Sequence, residues 1–118
     1  MWERYNISAQ QAQSQGKTAE AENFHRMALA EAEKIAHNDP KVVMSLNSLA
    51  NCLRQQGRYT EAEPLYKKAI DLKEKTVGVL HTDLVSLLDN YAKMLRLSGR
   101  AAEADKLDQR AQKIFSRK

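Results

Sequence analysis

The stretch Ser45-Leu-Asn-Ser-Leu-Ala-Asn-Cys-Leu-Arg-Gln-Gln-Gly-Arg-Tyr-Thr-Glu-Ala-Glu-Pro-Leu-Tyr-Lys-Lys-Ala-Ile70 decides the fold. With Met44 just ahead of it, the apolar residues Leu46, Leu49, Ala50 and Leu53 recur at three- and four-residue steps, the spacing of one helix face. Beyond Gly57, one stripe comprises Ala62, Leu65, Ala69 and Leu72, and a second comprises Tyr66, Ile70 and Val77. A helix apolar on two sides has to be sandwiched between neighbours. Gly57 ends the first helix, because only a residue without Cβ enters the left-handed turn at little cost. Thr60 and Glu63 have capping-box spacing at the start of the second helix, and Pro64 falls in or just after its first turn.

The same phrase occurs on either side. Gly16, Gly57 and Gly99 stand 41 and 42 residues apart. Gly16 is followed by Lys-Thr-Ala-Glu-Ala-Glu and later Ala28, Gly57 by Arg-Tyr-Thr-Glu-Ala-Glu and Ala69, and Gly99 by Arg-Ala-Ala-Glu-Ala-Asp and Ala111. Each unit is too small to bury its own apolar face, so stacking on a neighbour supplies the missing core. The period predicts six helices, near 2–15, 18–36, 41–56, 60–76, 82–98 and 101–116. They form one domain over 1–118, with repeats at about 2–37, 41–77 and 82–117. Asp39-Pro40 is a capping side chain before a proline at the first helical position, and Val77-Gly-Val-Leu-His-Thr82 is the matching connection into the third unit. Ala21 and Ala28, Ala62 and Ala69, and Ala104 and Ala111 are two helical turns apart. Ala9, Ala50 and Ala92 stand opposite, so each hairpin is built small against small.

Composition agrees with long helices. Of 118 residues, 42% are apolar and 29% charged, with two prolines and four glycines. A lone Cys52 excludes an internal disulfide and a multi-cysteine metal site, and points to a reducing compartment such as the cytoplasm. No apolar run approaches the roughly 20 residues of a membrane span, and the N-terminus has no signal-peptide core. The net charge of +4 is concentrated from Arg100 to Lys118, where six cations face three anions. Cations at a helix C-terminus complement its dipole, whereas a nucleic-acid binder needs a broader basic stripe.

These residues carry a resemblance. The chain resembles the tetratricopeptide repeat family, in the longer form of about 42 residues found in kinesin light chains and many bacterial proteins. The quoted stretch is similar to that family's typical phrase, and His81-Thr-Asp-Leu-Val resembles its His-Pro-Asp linker with Thr82 in place of proline. The first unit is more degenerate, with Tyr5 at a leucine or tryptophan position and His25 at an aromatic one. The resemblance implies an all-α, right-handed solenoid of three helix-turn-helix repeats whose first helices line a concave groove that holds an extended or helical peptide. In that frame Asp108 and Gln112 replace Tyr66 and Ile70 on the last helix, which predicts a terminal repeat with Lys118 near a natural end. Arg4 and Ser8 suggest a cap at the start, while Trp2 and Ile7 leave open a longer protein upstream.

If the first helix of each pair faces the groove, its inner side carries Glu3, Asn6, Gln10 and Gln13, then Asn47, Asn51, Arg54 and Gln55, then Asp89, Lys93 and Arg96. Amide side chains both donate and accept, so Asn47 and Asn51 can grip a peptide backbone without reading its sequence. Arg54, Lys93 and Arg96 add attraction for a carboxylate or an acidic peptide. The same residues also read as a solvated helix face. His25, His37 and His81 lack a partner at metal-ligand spacing, so no metal site is expected. His25 fills an aromatic packing place, His81 caps or packs the linker, and Cys52 is a small buried apolar group. With no phosphate-binding glycine loop or nucleophile elbow, neither enzyme activity nor a cofactor is expected. The expectation is a non-catalytic module for a protein or peptide partner. An accessory piece of a larger signalling protein, or a self-associating scaffold, remain alternatives.

Overall fold

The computed structural model describes residues 1–78 and 81–116, apart from the side chain of Phe115. Six helices follow one another: α1 (Trp2–Ser14), α2 (Thr18–Ile35), α3 (Pro40–Gln55), α4 (Tyr59–Val77), α5 (Asp83–Leu97) and α6 (Ala101–Ser116). Each lies within two residues of its expected span. The tightest contacts are within the pairs α1–α2, α3–α4 and α5–α6. α2 then packs on α3 and α4 on α5, so three hairpins stack in chain order. Residues 79 and 80 of the connection into α5, and the terminal Arg117 and Lys118 of the basic cluster, lie outside the described residues.

The glycine turn inside each hairpin is a Schellman motif. At Gly57 φ is 75°. Its N–H donates to Arg54 O at 2.9 Å and the N–H of Arg58 reaches back to Leu53 O at 2.9 Å. The turn leaves no spare residue before the next helix, so Arg58 is itself the N-cap and α4 begins at Tyr59. Thr60 therefore lies inside the first turn and caps nothing, which corrects the capping-box expectation. Its partner Glu63 is used elsewhere. Asp39 does cap α3, its carboxylate accepting from Lys41 N at 2.8 Å with Pro40 in the first turn. His81 likewise accepts from Asp83 N, at 3.1 Å through Nδ1, at the start of α5.

All nine alanines named above are buried. Larger side chains fill the spaces between hairpins: Leu46, Leu49, Leu53 and Tyr66 in the middle, Leu84, Leu88, Met94 and Leu95 further on. Tyr66 and Tyr91 stack across the junction of the second and third units, with ring centroids 5.8 Å apart. Trp2 ties α1 to α3 by donating from Nε1 to Ser45 Oγ at 2.7 Å. Met44 departs from the expected core stripe. It is 52% exposed, because its side of α3 turns toward α5 rather than into either hairpin.

Two arginines clasp consecutive hairpins in the same register. Arg58 bonds Glu22 of the preceding unit at 2.6 Å and Glu61 of its own at 2.5 Å. Arg100, 42 residues later, bonds Glu63 at 2.8 Å and Glu103 at 2.6 Å. Each clasp pins the start of a second helix to the hairpin before it.

Candidate interaction furrow

α3 and α5, the first helices of the second and third hairpins, touch directly along part of their length. The contact is polar: Asn90 Nδ2 donates to Asn47 Oδ1 at 3.2 Å, and Arg54 Nη1 donates to the Asn90 carbonyl at 3.4 Å. On one side of this bridge is a hollow of about 360 Å³ whose walls include Val43, Met44, Asn47, Lys73, Ser86 and Leu87. On the other side Arg54, Lys93, Arg96 and Leu97 surround a second hollow of about 340 Å³. Leu97 is 60% exposed there, so the second hollow has an apolar floor and a cationic rim.

The structure divides the expected site residues. It brings Asn47, Arg54, Lys93 and Arg96 to the furrow. Asn51 is otherwise engaged, since its Oδ1 accepts from the Tyr66 hydroxyl and its role is to fix α4 against α3. Burial pushes the Tyr66 hydroxyl up to about 12, partly countered by the nearby Arg54, so at neutral pH it remains a donor to Asn51. Arg96 lines the second hollow but also bonds Asp105 at 3.0 Å and Asp108 on α6, so its charge is already partly neutralised. Asn6, Gln10, Gln55 and Asp89 line neither hollow and make no side-chain hydrogen bond to the described residues. Gln13 is turned to His25, at 3.3 Å. Glu3 pairs with Lys41 at 3.0 Å, which holds its carboxyl below the usual range.

Three contributors escaped the sequence reading. Asn90 is a register mate of Ser48 rather than of Asn47, so the period alone placed it off the inner row. Met44 stands with the apolar stripe of α3 by its spacing, and Leu97 is not singled out by spacing at all. The available signal is their offset of two residues from the buried leucines, Met44 before Leu46 and Leu97 after Leu95, with Ile7 as a third exposed aliphatic on a first helix, 54% exposed. Among the described residues, neither Arg54 nor Lys93 is ion-paired, and no group of three His, Cys, Asp or Glu side chains is placed to hold a metal ion. No helix among the described residues is long and apolar enough to cross a membrane.

Three stacked helical hairpins with glycine-turned connections define an α-solenoid. The sequence model of the tetratricopeptide repeat matches residues 5–75, more than half of the chain, and the chain belongs to the tetratricopeptide repeat family. The fold is similar to a Podosopora anserina kinesin-light-chain-type protein built of nearly identical TPR-like repeats, with a TM-score of 0.85 and 21% identity over 97% of this chain and 55% of that one. A single-substitution form of that protein gives the same TM-score. BtubC (BKLC) from P. vanneervenii is similar at a TM-score of 0.61 and 18% identity, over 95% of this chain and 62% of that one. The chain thus spans about half the length of the Podosopora proteins. No curated protein matches it in sequence.

Proposed function

We propose that this chain is a non-catalytic interaction module that holds a peptide segment of another protein along the α3–α5 furrow. Tetratricopeptide repeats are in general protein-interaction modules, which supports the broad reading. The observation that carries the finer one is the second hollow. There Arg54 and Lys93 have no ionic partner among the described residues and border an exposed Leu97, whereas Arg58, Arg96, Arg100 and Arg110 are all paired with carboxylates. Cations over an apolar floor favour a segment that sets a carboxylate beside an aliphatic side chain. Asn47 contributes amide hydrogen bonds at the centre and Met44 apolar contact at the far end. Asn6, Gln10, Gln55 and Asp89 serve as flanking polar contacts, and Asn51 acts through Tyr66. No cofactor takes part, and the cytoplasm is the proposed setting. The likeness to kinesin-light-chain-type repeats favours a second reading, an accessory module within a larger assembly.

The test is a display of acidic-aliphatic peptides and their lysine-substituted counterparts against wild type and an Arg54→Glu, Lys93→Glu double variant. Binding of the acidic set that weakens with salt and disappears in the variant, at unchanged helicity, is expected. Equal binding by both proteins, or crosslinks from bound peptide to α4 and α6 instead of α3 and α5, would sink the assignment.

A further inference from the structure

His25 is the one histidine buried among the described residues, 1% exposed, at the place that Tyr66 takes one repeat later. Its Nε2 faces Gln13 Oε1 at 3.3 Å. An amide oxygen only accepts, so Nε2 carries the hydrogen and Nδ1 is the bare nitrogen. Nδ1 is buried and meets no hydrogen-bond partner. A second proton would add an N–H that faces no acceptor, together with a charge removed from water.

The surroundings offer nothing to offset that charge. From α1 the polar group facing the ring is the neutral Gln13, with Glu3 and Arg4 near the opposite end of the helix. On its own helix Glu22 and Arg26 bond each other, and Glu22 is also held by Gln56 and by Arg58 at the start of α4. On α3, burial pushes the Cys52 thiol up, so it stays neutral, and it leans on Thr18 O. Burial alone acts on the imidazole, holding it below the ordinary 6.5.

The first hairpin is also the one least able to absorb a penalty. Its buried side chains are alanines apart from Trp2 and His25, whereas α5 alone buries Leu84, Leu87, Leu88, Tyr91, Met94 and Leu95. A hairpin with so little buried apolar volume has a small packing term to set against an added desolvation cost. We propose that His25 is a proton-sensitive latch: its protonation at mildly acid pH releases the α1–α2 hairpin from α3 while the hairpins α3–α4 and α5–α6 stay folded. The latch is a property of the stack and does not depend on what the furrow binds. Because the folded ring takes up its proton at lower pH than the unfolded one, the closed hairpin loses stability as pH falls below 6.5. The open fraction rises by up to about tenfold per pH unit until the folded ring itself titrates.

Amide hydrogen exchange on the full chain, corrected for the intrinsic pH dependence of exchange, reads this directly. Between pH 6.5 and 5, protection in α1 and α2 should fall by up to about tenfold per unit with α3–α6 unchanged. His25→Phe, which keeps a ring at the site without a titrating nitrogen, should flatten that dependence. Proton NMR of the wild-type imidazole supplies a reading that needs no variant: His25 should titrate below 6.5. An unaltered pH profile in His25→Phe, a loss of protection spread evenly over all six helices, or His25 titrating at or above 6.5 would overturn the latch.

Discussion

Glu63 is held by three groups at once: Arg100 Nη1 at 2.8 Å, the Tyr91 hydroxyl at 2.6 Å and Lys67 Nζ at 3.7 Å. The Arg100 bond first, with help from Tyr91, lowers its carboxyl to about 2, while burial and the carboxylate beside it push the Tyr91 hydroxyl up. A carboxyl lowered from 4.5 in the unfolded chain stabilises the fold above pH 4.5, and that contribution disappears as pH falls from 4.5 toward 2. Glu63→Gln should therefore cost about 1–3 kcal/mol at neutral pH and nearly nothing near pH 2, as measured by urea melts at both values. An equal cost at both would mean that the charge is irrelevant. None of this was legible in the sequence, where Thr60 and Glu63 fit a capping box. Spacing reports which residues share a helix turn, but not which neighbouring hairpin an acid reaches. The alanines were legible because a buried contact between close helices tolerates only a small side chain, and that requirement repeats with the period. Ala62, with no exposed surface, should lose about 1–3 kcal/mol on replacement by leucine, seen as a lower Tm. An unchanged Tm would contradict the packing.

At the scale of elements, the helix boundaries follow from local chemistry. Asp39 and Pro40 start α3, and Gly57 turns the chain from α3 into α4 with its N–H and that of Arg58 satisfying the last carbonyls of α3. A Cβ built on Gly57 meets nothing within 4 Å, so the cost of Gly57→Ala is the left-handed backbone alone. That is about 1–2 kcal/mol, and an equilibrium denaturant series checks it. A smaller loss would show that the turn relaxes out of its left-handed geometry. The arginine clasps beside these turns are partly exposed and screened by solvent, so Arg58→Ala should shift the denaturation midpoint only slightly despite its two short ion pairs. The furrow was only half legible at this scale. Periodicity placed Asn47, Arg54, Lys93 and Arg96 on the correct helices. Their partners Asn90 and Asp108 come from across a hairpin or a junction, and a single helix's period carries no information about them.

For the whole molecule, cooperativity depends on the two junctions, which differ in kind. At the first junction the buried side chains of α2 are alanines and His25, and Trp2 of α1 bonds Ser45 of α3. The α4–α5 junction sets Tyr66 on Tyr91 in a stack and continues through Asn51 on one side and Glu63–Arg100 on the other. In a linear array, global stability is approximately the sum of unit stabilities and nearest-neighbour terms, so weakening one junction should uncouple the units on either side before unfolding both. Tyr91→Ala removes the ring from the second junction, deprives Glu63 of one donor and leaves a cavity beside Tyr66. Large-to-small changes of this kind cost about 3–5 kcal/mol. The expected signature in urea is a transition broadened relative to the wild type or split in two, with the α5–α6 hairpin losing amide protection before α3–α4. A single sharp transition at lower denaturant, with all six helices exchanging together, would show instead that the tyrosine stack adds stability without carrying the coupling. The coupling would then lie in the aliphatic contacts of Ile70 and Leu87.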